Sequence, residues 1–421
     1  MIRYNLVVIG GGLTGVSAAV SAARAGLKVL LVEKSGCLGG AMSNCLVYPF
    51  MRYWTEEEGR DRKWLSAGIF AEMRQRVQKY VKSDNDLDFS PEHFKFVLDQ
   101  LIEEAGVQVL FHAFAFESQV EDRKIRGVTL ATKAGSMQVE AEYFIDATGD
   151  GDLMAMSGCD FQLGRERDGL CQPMTTCFRV AGVDKGLLGP EERRRIKRIY
   201  KEQKEEGKIR NPREDVLMFT GKALGEGIVH FNTTRVVKLN PTDPMDVSRA
   251  EMEARKQICE LLQFLKKQDI PAFRNAYLVS VASDIGIRES RKLRGEHILT
   301  VQELTACTRF PDAIALGNYE IDIHNPEGSG TSHQFFGPGE YYTIPYRSLL
   351  PKELDNLLVG GRCISATHEA QASIRIMPIC ATLGEAAGTA VALASISGTD
   401  THHLDVSRLQ EMLRSQGAAI D

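Results

Sequence analysis

A chain of 421 residues, 43% hydrophobic and 25% charged, has an ordinary globular composition but is long for one core, so two or three structural units are expected. A net charge of −5 gives no electrostatic reason to expect nucleic acid or an anionic membrane as partner. No run reaches the ~18 to 20 uninterrupted apolar residues of a membrane span. The apolar N-terminus reads as a first strand rather than a leader, which makes a cytoplasmic location the default expectation. The nine cysteines, Cys37, Cys45, Cys159, Cys171, Cys177, Cys259, Cys307, Cys363 and Cys380, contain no C-x-x-C. That pattern argues against a zinc ribbon, an iron–sulfur cluster or a thioredoxin-type dithiol, and no metal is expected.

The first elements are the most informative. An apolar strand, Leu6 to Ile9, runs into Gly10, Gly12 and Gly15 of a G-x-G-x-x-G turn, and a small-residue helix extends from Thr14 to about Ala25. A second strand, Val29 to Val32, ends at Glu33. In this context Gly10 permits the tight turn, Gly12 lets a diphosphate approach the backbone, and Gly15 lets the helix sit close to the sheet. The N–H groups around Leu13 and Thr14 face the phosphates, and Glu33, followed by Lys34, reaches a ribose diol. Gly39, Gly40 and Ala41 form a second place where backbone can lie against a ligand, the alternative being a simple loop.

An amphipathic helix is predicted within residues 64–81, and another from Ser90 as N-cap and Pro91 to about Gly106. Strands follow at Val107–Phe111, Phe114–Val120, Gly127–Thr132, Met137–Ala141 and Tyr143–Ala147, a strand and a β-meander before a last buried strand. That strand enters Ala147, Thr148, Gly149 and Asp150, small enough for nucleotide contact at the carboxyl edge of a parallel sheet. Residues 160 to about 335 change character, with charged helices at 190–210 and from Pro244 to Lys267, strand-like VLMF and RVVKL, and a flexible loop at 327–339. The chain then returns through strands Tyr341–Tyr346 and Leu357–Val359, a turn at Gly361 and Arg362, and a helix opened by Met377 and Pro378 with Arg375 just ahead of it. The predicted fold is α/β: a Rossmann-like nucleotide domain with a β-meander (1–158), an inserted mixed α+β cap (159–335), a return segment (336–400) and a C-terminal helix (401–421).

GGGLTGVSAA with Glu33, LGGAMSN, FIDATGDGDL, DIGIRESRKLRGEHILT and IPYRSLLP…NLLVGGRCISATHEAQASIRIMPICATLGEAAGTA together resemble the FAD-dependent oxidoreductase family, a branch of the glutathione-reductase-like flavoproteins. The resemblance covers the first and last thirds well and the middle thinly. It implies FAD, with its diphosphate on Gly10, Gly12 and Gly15, its ribose on Glu33, and Ala147 to Asp150 edging the adenosine half. Gly361 and Arg362 would meet the diphosphate and ribityl chain, and the helix from Pro378 would point at the flavin. A second glycine-rich fingerprint for NAD(P)H is missing, as is the family's cysteine pair after Gly40.

FAD supplies hydride chemistry, so the protein must position a substrate and move a proton. Arg288, beside Arg291, fits a carboxylate or other anion, unless Glu289 takes it as an ion pair. His324, His333 and His368 are candidate bases, with structural roles as the alternative. Arg375 is a flavin or substrate contact or a helix cap, and Cys171 and Cys177 are core thiols or a redox pair. The sequence therefore points to an FAD oxidoreductase exchanging two electrons with a small polar metabolite, reoxidised by an unidentified acceptor. An electron-transfer subunit of a larger complex and a flavin-dependent RNA-modifying enzyme are the rivals, and a homo-oligomer is compatible with either.

Overall fold

The computed structural model describes residues 3–421. Its main sheet is built from both ends of the chain. Five strands run parallel in the order Gln108–Leu110, Val29–Val32, Arg3–Ile9, Gly135–Asp146 and Leu357–Val359. The register aligns Val8 with Leu31 on one side and Ile145 on the other, and Ile145 with Leu358. Val7, Val8, Leu31, Ile145 and Leu358 are all fully buried, as expected for parallel strands covered on both faces.

The strands predicted at Met137–Ala141 and Tyr143–Ala147 are one element, Gly135–Asp146. Its first half is exposed apart from Val139 and pairs antiparallel with Lys124–Thr132, the second strand of the meander after Phe114–Glu121. Its second half ends in the buried run Phe144, Ile145 and Asp146 and joins the parallel sheet. One strand thus carries a half-solvated pattern and then a fully buried one.

Helix Leu13–Arg24 packs on helix Met377–Ser397 through small residues. A Cβ at Gly384 would stand 2.1 Å from the Thr14 carbonyl oxygen, and one at Gly388 2.2 Å from that of Ala18. Ser21 and Thr389 add a hydroxyl–hydroxyl bond of 2.7 Å. Met377–Ser397 is long and apolar enough to cross a membrane by length and composition, with a mean hydropathy of 1.5, but 83% of that stretch is buried inside the fold. Helix Pro91–Ala105 ends as predicted at a left-handed Gly106, but Ser90 does not cap it: its hydroxyl bonds His93 Nδ1 at 2.7 Å. The terminal helix Val406–Ser415 buries Leu409 and Leu413 in the same core.

Residues 178–281 form a second, antiparallel sheet of four strands, in the order Met218–Phe219, Val229–Phe231, Phe178–Ala181 and Tyr277–Val281. Helices Pro190–Glu205 and Pro244–Lys267 enclose with it a separate core around Phe178, Phe231, Phe264 and Phe273. The expected strand RVVKL makes only an isolated bridge, Val236 with Met174. The loop expected at 327–339 contains strand Thr331–Gln334, which forms a hairpin with Ile321–His324. Ala313–Gly317 pairs with Tyr342–Pro345, so the boundary expected at 335 falls between two paired strands.

Candidate active site

A cleft of about 680 Å³ runs along the carboxyl ends of the parallel strands and under the second sheet. The first glycine turn forms its floor, and its three glycines do different work. Gly10 has φ +105°, and a Cβ there would lie 2.4 Å from the Ala147 carbonyl oxygen. Gly15 lies beneath the turn, where a Cβ would be 1.8 Å from the Gly10 carbonyl oxygen. Gly12 is different: a Cβ there meets only Gly40 Cα, at 4.0 Å, and the space beyond belongs to the cleft. No side chain caps the helix that begins at Leu13, so its first N–H groups remain available to an anion.

Glu33 is buried at the cleft edge, its Oε2 accepting from Gly11 N (2.6 Å) and its Oε1 from Ser35 N (2.8 Å). These bonds fix the carboxylate and leave lone pairs for a ligand hydroxyl. Gly39 donates its N–H to the Gly11 carbonyl (2.8 Å), which lays Gly39, Gly40 and Ala41 against the first turn. On the neighbouring strand, Asp146 accepts from Thr148 N (3.0 Å), Thr148 Oγ1 (2.7 Å) and Met154 N (2.8 Å), and burial pushes its carboxyl up to about 6. Those bonds shape the turn Ala147–Asp150.

The return segment closes the cleft from the other end of the chain. Arg362 Nη2 donates to Asp150 Oδ1 at 2.7 Å and its Nη1 to Ser290 Oγ at 3.0 Å. Burial favours the neutral form of Asp150, but Arg362 and Ser290 outweigh it and hold the carboxyl below its usual range. Thr14 Oγ1 donates to the Cys380 carbonyl at 2.9 Å, tying the first helix to the start of Met377–Ser397. That second helix also begins without a side-chain cap and without an acid in its first turn. Two uncapped helix N-termini, an open glycine and a fixed carboxylate along one elongated cleft suit a dinucleotide carrying a diphosphate and a ring that becomes anionic.

Gly10, Gly12, Leu13, Thr14, Glu33, Lys34, Gly39, Gly40, Ala41, Ala147, Thr148, Gly149, Asp150, Arg362, Arg375 and Met377 line this cleft. Gly15 supports the turn from beneath, Gly361 lies against Thr14, and Pro378 sits within the first turn of its helix.

Of the catalytic candidates, Arg288 and His324 line the cleft and His368 does not. His368 is buried with Nδ1 at 2.9 and 2.7 Å from the Glu289 oxygens, and Glu289 also accepts from Lys292 Nζ at 2.5 Å. His368 is therefore part of an internal ion-pair network. The expectation of a general base at His324 also needs correction. Arg235 Nη2, which can only donate, lies 2.9 Å from Nδ1, so Nδ1 accepts and Nε2–H donates to Asp322 Oδ2 at 3.2 Å. Burial and the nearby Arg288 hold the imidazole neutral, well below its ordinary value. His324 is a neutral link between Arg235 and Asp322. His333 lies at the cleft rim, with Nδ1 3.3 Å from Glu320 Oε2.

Cys171 and Cys177 are buried, and burial pushes each thiol up to about 12; Cys45 behaves likewise. Such thiols are poor nucleophiles near neutral pH. The cleft residues that the sequence reading missed include Asp322, Tyr319, Asn232 and Arg213. Asp322 was within reach, since it lies two residues from His324 on one strand and so shares its face. The others carry no local pattern.

The family model described as FAD dependent oxidoreductase matches residues 5–413. Dihydrolipoyl dehydrogenase of Trypanosoma brucei brucei is 34% identical over 99 residues, which is 21% of this chain and 21% of that protein. The mitochondrial dihydrolipoyl dehydrogenase of Schizosaccharomyces pombe is 33% identical over 93 residues, 19% of this chain and 18% of that protein. The match thus spans only about a fifth of these curated relatives, 21% and 18% of their lengths. Among solved structures, a geranylgeranyl bacteriochlorophyll reductase-like protein of Thermoplasma acidophilum superposes with a TM-score of 0.49 at 13% identity, covering 98% of this chain and 84% of that one. L-proline dehydrogenase of P. horikoshii gives a TM-score of 0.47 at 12% identity over 99% of each chain. With its family model matched almost from end to end, the chain belongs to the FAD-dependent oxidoreductases and is a flavoenzyme that uses FAD.

Proposed function

We propose that this flavoenzyme exchanges two electrons, as a hydride, with a small polar metabolite held over its flavin by residues 159–335, which act as a cap. The observation that carries this reading is the single cleft whose floor comes from Gly12, Glu33 and Met377 and whose roof comes from Asn232, Arg288 and Asp322. FAD, when bound, supplies the hydride-accepting ring. The chain supplies the rest. Gly12 and the uncapped N–H groups after it take the diphosphate, Glu33 takes a ribose hydroxyl, and Arg362, clamped by Asp150, holds the two ends of the chain together around the cofactor.

The N-terminus of Met377–Ser397 presents partial positive charge to the cleft and would stabilise the negative charge of a reduced flavin bound there. Tyr319, whose hydroxyl donates to Asp322 Oδ2 at 3.0 Å, orients that carboxylate. The purified protein should be yellow and release FAD on denaturation. Anaerobic addition of single metabolites should then bleach the flavin's visible absorbance for one chemical class. A colourless protein that takes up no FAD, or a flavin that no metabolite reduces, would overturn the proposal.

A further inference from the structure

Four arginines line the cleft, and three have carboxylate partners. Arg213 stands 3.3 Å from Asp215, Arg362 2.7 Å from Asp150 and Arg375 3.4 Å from Asp322. Arg288 forms no ion pair among the described residues. Glu289, next to it in sequence, is taken by Lys292 and His368. The Arg288 guanidinium is held instead by neutral acceptors: the Pro173 carbonyl at 2.8 Å, the Thr175 hydroxyl, and Asn232 Oδ1 at 3.4 Å. It is half-buried, and its remaining accessible surface is cleft wall.

Burial, then Arg375 and Arg213, push Arg288 down to about 9. A guanidinium keeps its proton, so the protein leaves this cation without a paired charge. A desolvated cation without a counter-ion is costly, and the cost is recovered when an anion binds.

A second group shares that wall. Asp322 is 8% exposed, and its Oδ2 is occupied by Tyr319, His324 and Arg375. Its Oδ1 is buried without a hydrogen-bond partner, with His333 Nδ1 at 3.7 Å. The His324 hydrogen bond, then Arg375 and Arg288, outweigh burial and keep Asp322 ionised, so Oδ1 is a pure acceptor on a residue that lines the same cleft as the Arg288 guanidinium.

We infer that this end of the cleft binds a small organic acid, its carboxylate on Arg288 and a hydrogen-bond donor on the adjacent carbon, hydroxyl or ammonium, on Asp322 Oδ1. The inference rests on the proposed oxidoreductase reading and names its substrate class. Asp322 then acts as a positioning acceptor, held in place by the neutral His324 and by Tyr319.

The test uses the FAD-loaded enzyme. Straight-chain 2-hydroxy and 2-amino acids of two to six carbons, their amides, and the plain carboxylates are titrated, with binding read both by calorimetry and by perturbation of the flavin absorbance. Expected is a best acid bound at least about tenfold more tightly than its amide. Arg288→Lys, which keeps the charge but loses the fork, should weaken that acid at least about tenfold with flavin content unchanged. Asp322→Asn should reduce binding of the substituted acid and spare the plain carboxylate. The hydroxy and amino series separately report which donor Asp322 receives.

Amides that bind as well as acids, no binding of any acid, or an Arg288→Lys enzyme with wild-type affinity would each overturn the subsite. A flavin reduced by a neutral compound while no acid binds removes the subsite and leaves the oxidoreductase reading intact. Acids that bind while nothing reduces the flavin do the reverse.

Discussion

Gly12→Val should separate the cofactor from the fold. The backbone at Gly12 is extended (φ −67°, ψ 179°), which valine adopts freely, and a Cβ there meets only Gly40 Cα at 4.0 Å. The apoprotein should hold or gain stability, because a stiffer residue narrows the unfolded ensemble by about 0.4–1 kcal/mol. FAD loses its backbone approach. A diphosphate at a helix N-terminus draws about 0.3–2 kcal/mol from the helix dipole and about 1.5–3 kcal/mol from each charge-assisted N–H bond. Losing the dipole interaction and two such bonds removes about 3 kcal/mol or more, at least about a hundredfold in affinity. Gly15→Ala is the contrast, since its Cβ would lie 1.8 Å from the Gly10 carbonyl oxygen and the turn itself must shift. It should destabilise the apoprotein by about 1–3 kcal/mol, with flavin loss as a consequence. The assay is flavin content after gel filtration, paired with thermal unfolding of both apoproteins. Stoichiometric FAD in Gly12→Val refutes the placement of the diphosphate. Apo Gly12→Val melting as low as apo Gly15→Ala refutes the claim that Gly12 serves only the ligand.

Glu385 is 1% exposed, and burial pushes its carboxyl up to about 7 although Ile69 N donates to it at 3.0 Å. The folded protein therefore holds a proton that the unfolded chain releases, and stability falls as pH rises from roughly 4.3 towards about 7. Glu385→Gln should remove up to about 3 kcal/mol of that loss at pH ~8 and almost none at pH ~4; a gain in urea midpoint that is equal at both pH values refutes it. For the thiols, exposed Cys259 should alkylate first near neutral pH, well ahead of Cys45, Cys171 and Cys177, whose burial pushes them up to about 12. Peptide mapping that finds Cys45 or Cys177 labelled as fast as Cys259 would contradict their desolvation.

What the sequence disclosed and what it concealed divide along contact range. Gly10, Gly12, Gly15 and Glu33 were legible because the turn that links them closes within one βαβ unit, down to the 2.6 Å bond from Gly11 to Glu33. Strand Gly135–Asp146 reads as two from sequence because its pattern changes midway, from solvated GSMQVE to increasingly buried AEYFID, when its neighbours change from the meander to the parallel sheet. Strand Thr331–Gln334 escaped notice because TSHQ carries no apolar alternation; pairing with Ile321–His324 alone makes it a strand.

The catalytic candidates show the limit most sharply. His324, His368 and Arg288 are equally plausible from composition, and what separates them is which of their polar atoms remain free after distant partners have bound. Arg235, 89 residues away, occupies His324 Nδ1. Glu289, 79 residues away, occupies His368. Because Lys292 and His368 consume Glu289, Arg288 is left with neutral neighbours. The neighbour in sequence that most plausibly neutralised Arg288 is thus the residue whose engagement elsewhere leaves its charge open to a ligand.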